Sequence, residues 1–262
     1  MMICEYKRKG RDMSTFWLKI IAITTMVIDH TGAVFFPEYP VLRMIGRLAF
    51  PIFAFLIAEG AYHTKDLKKY MWRMLGFALL TEIPFDFAFE GQWLNWGHQN
   101  VMWTFFLALA AIYFDQKYAR PKGQPVIFVV AAGVTAMAAA YAKTDYGAIG
   151  VLLVLVFYHF RQQPVLKFSC AGLLMASFGL EYTFLRMQFL HSYYMEMGKE
   201  QQFWQNWQRC LVISDHIQFL ACLSFPLIGW YNGQKGRSLQ YFFYAFYPGH
   251  LLIIGMIANY IK

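Results

Sequence analysis

Charged residues are scarce in this chain. Asp, Glu, Lys and Arg make up 15% of the 262 residues, and hydrophobic residues make up 58%. A soluble globular domain is about a quarter charged and about half apolar. The chain also lacks a polar block long enough to form a separate soluble domain. These absences exclude a soluble protein and favour one integral-membrane domain that covers residues 1–262.

Cysteines are few, and their spacing carries no motif. None of Cys4, Cys170, Cys210 and Cys222 forms a CxxC pair. This spacing excludes a disulfide framework and a zinc site. We therefore expect isolated thiols in an apolar core and no bound metal.

A signal-peptide cleavage site is also lacking. The basic N-terminal segment MMICEYKRKGRDMS precedes an apolar run, as in a secretory signal. The run is too long for a signal peptide, has no small-residue cleavage motif, and contains Asp29 and His30. The sequence therefore predicts an uncleaved first transmembrane span.

Long apolar runs, in contrast, are abundant. A helix that crosses a bilayer needs about 20 largely apolar residues. Nine runs approach this length, and they cover residues 15–36, 42–60, 70–89, 100–116, 125–142, 147–160, 165–185, 211–230 and 239–259. The sequence predicts an all-α, polytopic transmembrane helical bundle of about nine spans. We expect a multi-pass protein in a bacterial inner membrane, surrounded by the lipid bilayer.

The distribution of the basic residues predicts the orientation. With a cytoplasmic N-terminus, most of the 23 Lys and Arg residues fall in the tail 1–14 and in loops on the same side. Short cytoplasmic loops carry such an excess of Lys and Arg. Membrane topology therefore accounts for the net charge of +8. The sequence shows no basic helix with interleaved aromatic residues, so we expect no nucleic-acid partner.

Two titratable residues interrupt the first span. Asp29 and His30 lie within the apolar stretch LKIIAITTMVIDHTGAVFF. An ionisable side chain inside a membrane costs about 2.5–3.5 kcal/mol or more, so we interpret both as functional candidates. His30 can act as a general base near neutral pH. Adjacent helical residues diverge by about 100°, so Glu82 or Asp86 is a better candidate than Asp29 to orient the imidazole.

Two further charged pairs occur near the same predicted outer end. Arg43 and Arg47 start the second span, and Glu82 and Asp86 lie in the third. Each pair has i,i+4 spacing, which places both members on one helix face. One interpretation is a buried ion network of the two arginines with these carboxylates and Asp29. The other interpretation assigns the carboxylates to catalysis.

The last span contains a second histidine. His250 lies in YPGHLL, directly after Pro248 and Gly249. A proline in a spanning helix frees a backbone carbonyl, and such breaks are tolerated where protein or a cavity satisfies that group. A role at the substrate site and a role as a hydrogen-bonded core histidine are both open for His250. We take Arg47 and Tyr247 as candidate donors to an oxyanion.

Three other polar segments have simpler explanations. Asp145 precedes a predicted helix and suits a cap. The pair Asp215 and His216 lies near the outer end of the eighth span, where an interfacial position explains it. The longest loop, residues 186–209, is polar and aromatic, and we expect an interfacial helix or a lid there.

Cations at the cytoplasmic end suggest a phosphorylated ligand. Lys19 precedes His30 by 11 residues, which is three helical turns plus about 20° and a rise of about 16 Å. The two side chains therefore share a face. A lysine suits a phosphate as a point charge, so an elongated carrier such as coenzyme A fits the pair. A snorkelling interfacial lysine is the simpler alternative.

The loop after the second span adds cations on the same side. Its candidate binding residues are His63, Lys68, Lys69 and Arg73. The excess of Lys and Arg in cytoplasmic loops explains most of them without a ligand. Arg73 is the least well explained in this way, because it already lies within the apolar run.

The chain resembles a known family over most of its length. The matching stretches are LKIIAITTMVIDHTG, RMIGRLAFPIFAFLIAEGAYHTKDLKKYMWRML, TEIPFDFAF, NVMWTF, TDYGAIGVLLVLVFY and FFYAFYPGHLLII. Together they resemble the TraX family of integral-membrane proteins, which is linked to N-terminal acetylation of pilin in conjugative systems. The likeness extends from Leu18 to about Ile254 and is weaker between about Arg161 and Gln240.

The resemblance implies an acyltransferase. TraX also looks related to membrane acyltransferases that modify surface sugars and that carry a basic residue, ten intervening residues and a histidine on their first span. Carried over, this pattern implies that Lys19 and Arg73 hold acyl-CoA and that His30 is the base. The sugar-modifying relatives are longer and have an extra span, so their acceptor site does not transfer to this chain.

We therefore expect a membrane-embedded acyltransferase. It would move an acetyl group from cytoplasmic acetyl-CoA to an amine or hydroxyl of a peptide N-terminus, a sugar or a small molecule that arrives from the membrane or the outer side. One alternative is a proton-coupled transporter or flippase with an intramembrane Asp, His and Glu relay. Transporters often contain inverted repeats, and the sequence shows none. A scaffold without chemistry is the third interpretation.

Overall fold

The computed structural model describes residues 13–206, 217–237 and 239–261. Within these ranges the chain is helical, and β-pairing is limited to isolated bridges of Met13 with Tyr231 and of Gln99 with Thr144. The predicted all-α class is therefore confirmed. The basic tail before Met13, and the pair Asp215 and His216, lie outside the described residues.

The helices follow the predicted apolar runs in order. They are α1 (Thr15–Phe35), α2 (Pro40–Gly46), α3 (Ala49–His63), α4 (Leu67–Phe89), α5 (Val101–Phe114), α6 (Arg120–Lys122), α7 (Pro125–Tyr141), α8 (Gly147–His159), α9 (Pro164–Glu196), α10 (Glu200–Asn206), α11 (Ser224–Gly229) and α12 (Gln240–Ile261). A π-helical turn, Asp115–Ala119, joins α5 to α6, and a 3₁₀ segment, Ile217–Leu223, precedes α11.

The predicted second span is two helices instead of one. The break at Arg47 and Leu48 separates α2 from α3. Pro51 lies in the first turn of α3, where a missing N–H costs nothing. In one continuous helix its ring would clash with the carbonyl of Arg47, four residues earlier. Pro51 thus suits a new helix start at this point, and the restart leaves Arg47 at a corner.

The predicted loop at 186–209 is also largely helical. The helix α9 continues to Glu196, so it is longer than the predicted run 165–185. Gly198 follows in a left-handed conformation (φ 65°) and turns the chain into α10. Glycine adopts this conformation without steric cost, which fits its place after a helix end.

Length and composition identify the helices that can cross a membrane. Three apolar segments are long enough, namely Thr15–Phe35, Pro40–His63 and Phe242–Tyr260. Four shorter apolar helices accompany them, namely Pro125–Tyr141, Gly147–His159, Pro164–Leu180 and Gln218–Gly229. On α7, apolar side chains from Val126 to Met137 recur on an exposed face, as expected of a surface that contacts lipid. The count of nine spans and the cytoplasmic N-terminus stay predictions.

Close packing between α1, α2, α4 and α12 positions the site. A buried apolar cluster that includes Ile23, Met26, Phe85 and Leu251 fills the seam between α1, α4 and α12. On the other side of α1, α2 lies so close that a Cβ on Gly46 would come within 2.1 Å of the Asp29 side chain. Glycine is therefore required where α2 crosses α1.

Candidate functional site

Two cavities adjoin inside the bundle. The cavity that Lys19 lines has a volume of about 590 Å³, and we call it the inner cavity after the predicted cytoplasmic side. The outer cavity contains His30 and has a volume of about 310 Å³. Both are lined by the same five residues, Met26, Phe53, Val101, Phe105 and Tyr247. These five form the shared wall, which is mostly apolar and aromatic.

The inner cavity is lined by cations. The four Lys and Arg side chains in its wall are Lys19, Arg73, Lys235 and Arg237. The ammonium of Lys19 lies 4.9 Å from the ring centre of Phe243, a cation–π distance. The predicted residues Lys68 and Lys69 are exposed and do not line this cavity. They stay on the surface because they follow the N-cap of α4 and point away from the bundle.

Lys235 and Arg237 reach the inner cavity through a backbone contact. The loop after α11 pairs with the chain before α1, where Thr15 N donates to Gln234 O (2.9 Å) and Asn232 N donates to Met13 O (3.0 Å). In the sequence, Lys235 and Arg237 belong only to the basic excess of the predicted cytoplasmic loops. Each of these two bonds joins residues 219 positions apart along the chain, so no local spacing reveals the contact.

Glu59, the carboxylate in the wall of the inner cavity, is already paired. Glu59 accepts from Arg161 Nε (2.5 Å) and Nη2 (3.1 Å), and His63 Nε2 lies 3.2 Å from the same Nη2. The hydroxyl of Tyr231 lies 3.1 Å from Thr15 Oγ1. Burial raises the pKa of Tyr231, so this hydroxyl keeps its proton. The unpaired charge that faces this cavity is therefore positive.

Asp29 holds two arginines at the outer cavity. Its Oδ2 accepts from Arg43 Nη1 (2.6 Å), and its Oδ1 accepts from Arg47 Nη2 (2.7 Å). Arg47 also donates from Nε to the carbonyl of Arg43 (3.2 Å) and from Nη1 to the hydroxyl of Tyr146 (3.4 Å). The predicted ion network is confirmed for Asp29 with both arginines. Asp29 is thus fully engaged.

The two carboxylates of α4 lie elsewhere, so their predicted place in that network is wrong. Glu82 Oε2 accepts from Asn100 Nδ2 (2.6 Å) and Trp103 Nε1 (2.7 Å). Asp86 Oδ2 accepts from the backbone N–H of Asn95 (2.6 Å). Neither residue lines the inner or the outer cavity, and His30 is paired with another residue instead. Both carboxylates tie the segment that leads into α5 back onto α4.

His30 is paired with His250. Nδ1 of His30 lies 2.9 Å from Nε2 of His250, and Nδ1 of His250 lies 2.9 Å from the carbonyl oxygen of Phe246. Phe89 packs edge-on against His30 with ring centres 5.2 Å apart. His30 lines the outer cavity, whereas His250 lines neither cavity and is 8% exposed. The position predicted for Glu82 or Asp86 beside His30 is thus occupied by His250.

The remaining wall of the outer cavity carries acids. Glu90 and Asp145 line it together with His98. Tyr146 is the residue before α8 and has a left-handed backbone (φ 62°), which is strained for a non-glycine residue. Its ring stacks on Phe50 with ring centres 3.6 Å apart. The expected cap at Asp145 is not made, and its side chain lines the cavity instead.

Comparisons with known proteins identify the family. A family model described as TraX protein matches residues 14–258. The chain belongs to the TraX family. The matched range includes every lining residue of both cavities, from Thr15 to Tyr247, and also His250.

Two relatives of this TraX protein are informative. It is 30% identical to the probable fimbrial assembly protein FimC, serogroup H1, of Dichelobacter nodosus. The alignment spans 259 residues and covers 93% of this chain and 95% of that protein. It is 26% identical to the uncharacterized protein RP591 of Rickettsia prowazekii (strain Madrid E). That alignment spans 171 residues and covers 65% of this chain and 64% of that protein. No solved structure matches the chain.

Proposed function

We propose that this TraX protein is a multi-pass membrane acyltransferase that moves an acetyl group from acetyl-CoA to the amino terminus of a pilin-type peptide. The observation that carries the proposal is the pair of adjoining cavities. One is lined by cations, the other contains a histidine and carboxylates, and Tyr247 lines both. Membership of TraX and the relative named for fimbrial assembly support a pilin-type acceptor.

The inner cavity suits the donor. Coenzyme A is an elongated molecule with phosphates at one end and a thiol at the other. Lys19, Arg73, Lys235 and Arg237 provide the positive charge that phosphates require. The cavity volume of about 590 Å³ is within the usual range for cofactor sites, about 300–1,000 Å³. The donor would lie with its phosphates at these cations and its thioester at the shared wall.

The outer cavity suits a cationic acceptor. Its arginines are held by Asp29, whereas no hydrogen bond to Glu90 or Asp145 side-chain oxygens occurs among the described residues. Carboxylates attract an ammonium group, and the effect is larger in a cavity with low-dielectric walls. A peptide amino terminus fits this charge better than a sugar hydroxyl does.

His30 then supplies the base. The acceptor ammonium gives one proton to Nε2 of His30, and its nitrogen gains the lone pair for attack. That nitrogen attacks the thioester carbonyl carbon, the carbon–nitrogen bond forms, and the carbon–sulfur bond breaks. The departing thiolate of coenzyme A takes the second proton from the nitrogen. His30 releases its proton to the outer cavity, so the charges and atoms balance.

The test uses the purified full chain in detergent. We expect retention of radiolabelled acetyl-CoA and transfer of label to a peptide with a pilin-like free amino terminus. The matched control is the same peptide with a blocked amino terminus, which should gain no label. A protein that neither retains acetyl-CoA nor labels the free peptide would contradict the proposal. Label on the blocked peptide would instead indicate a hydroxyl acceptor.

A further inference from the structure

The hydrogen bonds around His250 determine which ring nitrogens carry protons. The carbonyl of Phe246 can only accept, so Nδ1 of His250 must donate to it. A neutral imidazole carries one N–H, so Nε2 of His250 is then an acceptor. That nitrogen lies 2.9 Å from Nδ1 of His30, which must therefore be the donor. It follows that Nε2 of His30 carries the free lone pair.

We propose that His250 is a positioning residue that holds His30 in the tautomer with an unprotonated Nε2. This proposal rests on the proposed function, in which that nitrogen is the base. His250 lines neither cavity, so it acts through His30 and does not touch the substrate. In hydrolases a buried aspartate orients the catalytic imidazole from its second nitrogen. Here a neutral histidine performs the same task.

The three carboxylates that the sequence offered for this task are engaged elsewhere. Asp29 is bound by Arg43 and Arg47, and the carboxylates of Glu82 and Asp86 face the segment before α5. A neutral orienter also suits the setting, because an uncompensated charge inside a membrane is costly. His250 is such a neutral group, and its hydrogen bonds are satisfied without any ion.

The surrounding rings keep the pair in register. Phe246 stacks on His250 with ring centres 5.3 Å apart and an angle of 12°. The rings of His30 and His250 are nearly parallel, with an angle of 13° between their planes. This orientation lets Nδ1 of His30 face Nε2 of His250. Phe89 packs against the edge of His30. Since His30 is on α1 and His250 on α12, the pair also joins these two helices.

The pairing makes the base sensitive to one added proton. If the proton binds Nε2 of His30 directly, the base is blocked. If it binds Nε2 of His250, that nitrogen becomes a donor to Nδ1 of His30, and the His30 proton must move to its own Nε2. Both arrangements block the same atom. Besides His30, the charged and titratable groups that line this cavity are Asp29, Arg43, Arg47, Glu90, His98, Asp145, Tyr146 and Tyr247.

The kinetic test compares two substitutions of His250. The amide oxygen of His250→Gln can reach the position of Nε2 and accept from His30, whereas His250→Ala leaves Nδ1 of His30 without a partner. We expect His250→Ala to lower kcat about 100-fold, with KM for acetyl-CoA changed less than about twofold, and His250→Gln to recover most of the loss. The matched control is Asn259→Ala, which removes a comparable bond to a carbonyl of α12, that of Gly255.

A second measurement is independent of activity. In protein labelled with ¹⁵N-histidine, the His30 signal, assigned by its loss in His30→Ala, should show a protonated Nδ1 and an unprotonated Nε2 at neutral pH. His250→Ala should shift it toward the other tautomer. A protonated Nε2 in the wild type, or full kcat in folded His250→Ala, would overturn the proposal. Wild-type protein with the expected tautomer but no acetyl transfer would overturn the proposed function instead.

Discussion

Arg47 donates from Nη2 to Oδ1 of Asp29 over 2.7 Å, and this bond fastens the corner between α2 and α3 to α1. The Arg47 side chain is 7% exposed, whereas that of Arg43, the second partner, is 32% exposed. The Asp29 carboxylate therefore compensates one buried cation and one that is partly accessible. Its place in the sequence suggested catalysis, and its contacts make it a structural anchor of the outer cavity.

We expect Asp29→Ala to be strongly destabilising. Removing the carboxylate leaves the guanidinium of Arg47 buried without its ionic partner, a change that typically costs about 3–5 kcal/mol. Unfolding in detergent, followed by circular dichroism, measures the loss. The control is Asp66→Ala, which removes an exposed N-cap bond to Lys69 N and should cost about 1 kcal/mol. Equal losses for the two variants would contradict the anchor role.

Gly46→Ala should disturb the same anchor by steric contact alone. A Cβ at this position would lie 2.1–2.4 Å from atoms of Asp29, so α2 must move away from α1. Overpacking of this kind costs about 1–3 kcal/mol. The matched control is Gly76→Ala on α4, where a Cβ would meet nothing within 4 Å. That control should be neutral or stabilising by up to about 1 kcal/mol, and the same unfolding assay compares both.

Affinity for coenzyme A should depend on the cations that line the inner cavity and not on neighbouring cations that do not line it. Because a hydrogen bond to a charged group contributes about 1.5–3 kcal/mol, we expect Lys235→Ala and Arg237→Ala each to raise Kd about tenfold or more. Lys68→Ala is the control, since Lys68 is a cation of the same region that lines neither of the two cavities. Calorimetry on the purified protein gives the Kd values. A loss with Lys68→Ala equal to that with Lys235→Ala would place the phosphates elsewhere.

The shared wall should limit the length of the acyl group. Phe53 lines both cavities, so its ring occupies space next to the place proposed for the thioester. We expect Phe53→Ala to raise the ratio of kcat/KM for propionyl-CoA over acetyl-CoA about tenfold, since one methylene accounts for about 1–3 kcal/mol of discrimination. Phe114→Ala removes a ring that lines neither cavity and should leave the ratio unchanged. An unchanged ratio in Phe53→Ala would exclude the wall as the selectivity element.

Much of the fold could be predicted from hydropathy alone. The run that became α1 is long and apolar, and helical geometry then placed Lys19 and His30 on one face. The structure puts them in adjoining cavities. The break before α3 was not predicted, although Pro51 gave a local signal: its ring conflicts with the carbonyl of Arg47 in a continuous helix. The apolar composition of residues 42–60 predicted one continuous span instead.

The parts of the site that could not be predicted depend on contacts between distant residues. His250 carried a local signal, the preceding Pro248, but its partner is 220 residues away along the chain. Lys235 reaches the inner cavity only because its loop pairs with the chain at Met13 and Thr15. The helical periodicity of the sequence could not reveal the contacts of Glu82 and Asp86 either. Helical spacing predicted a common face, but not that the face meets Asn100 and Trp103.

The most direct test of the account is a comparison of binding and transfer in His30→Ala. His30 lines the outer cavity and not the inner one, so the substitution should separate the two functions. We expect Kd for acetyl-CoA to change less than about twofold while acetyl transfer to the peptide falls about 10²–10⁴-fold, the contribution of a general base. Transfer at the wild-type rate by folded His30→Ala would contradict the central claim.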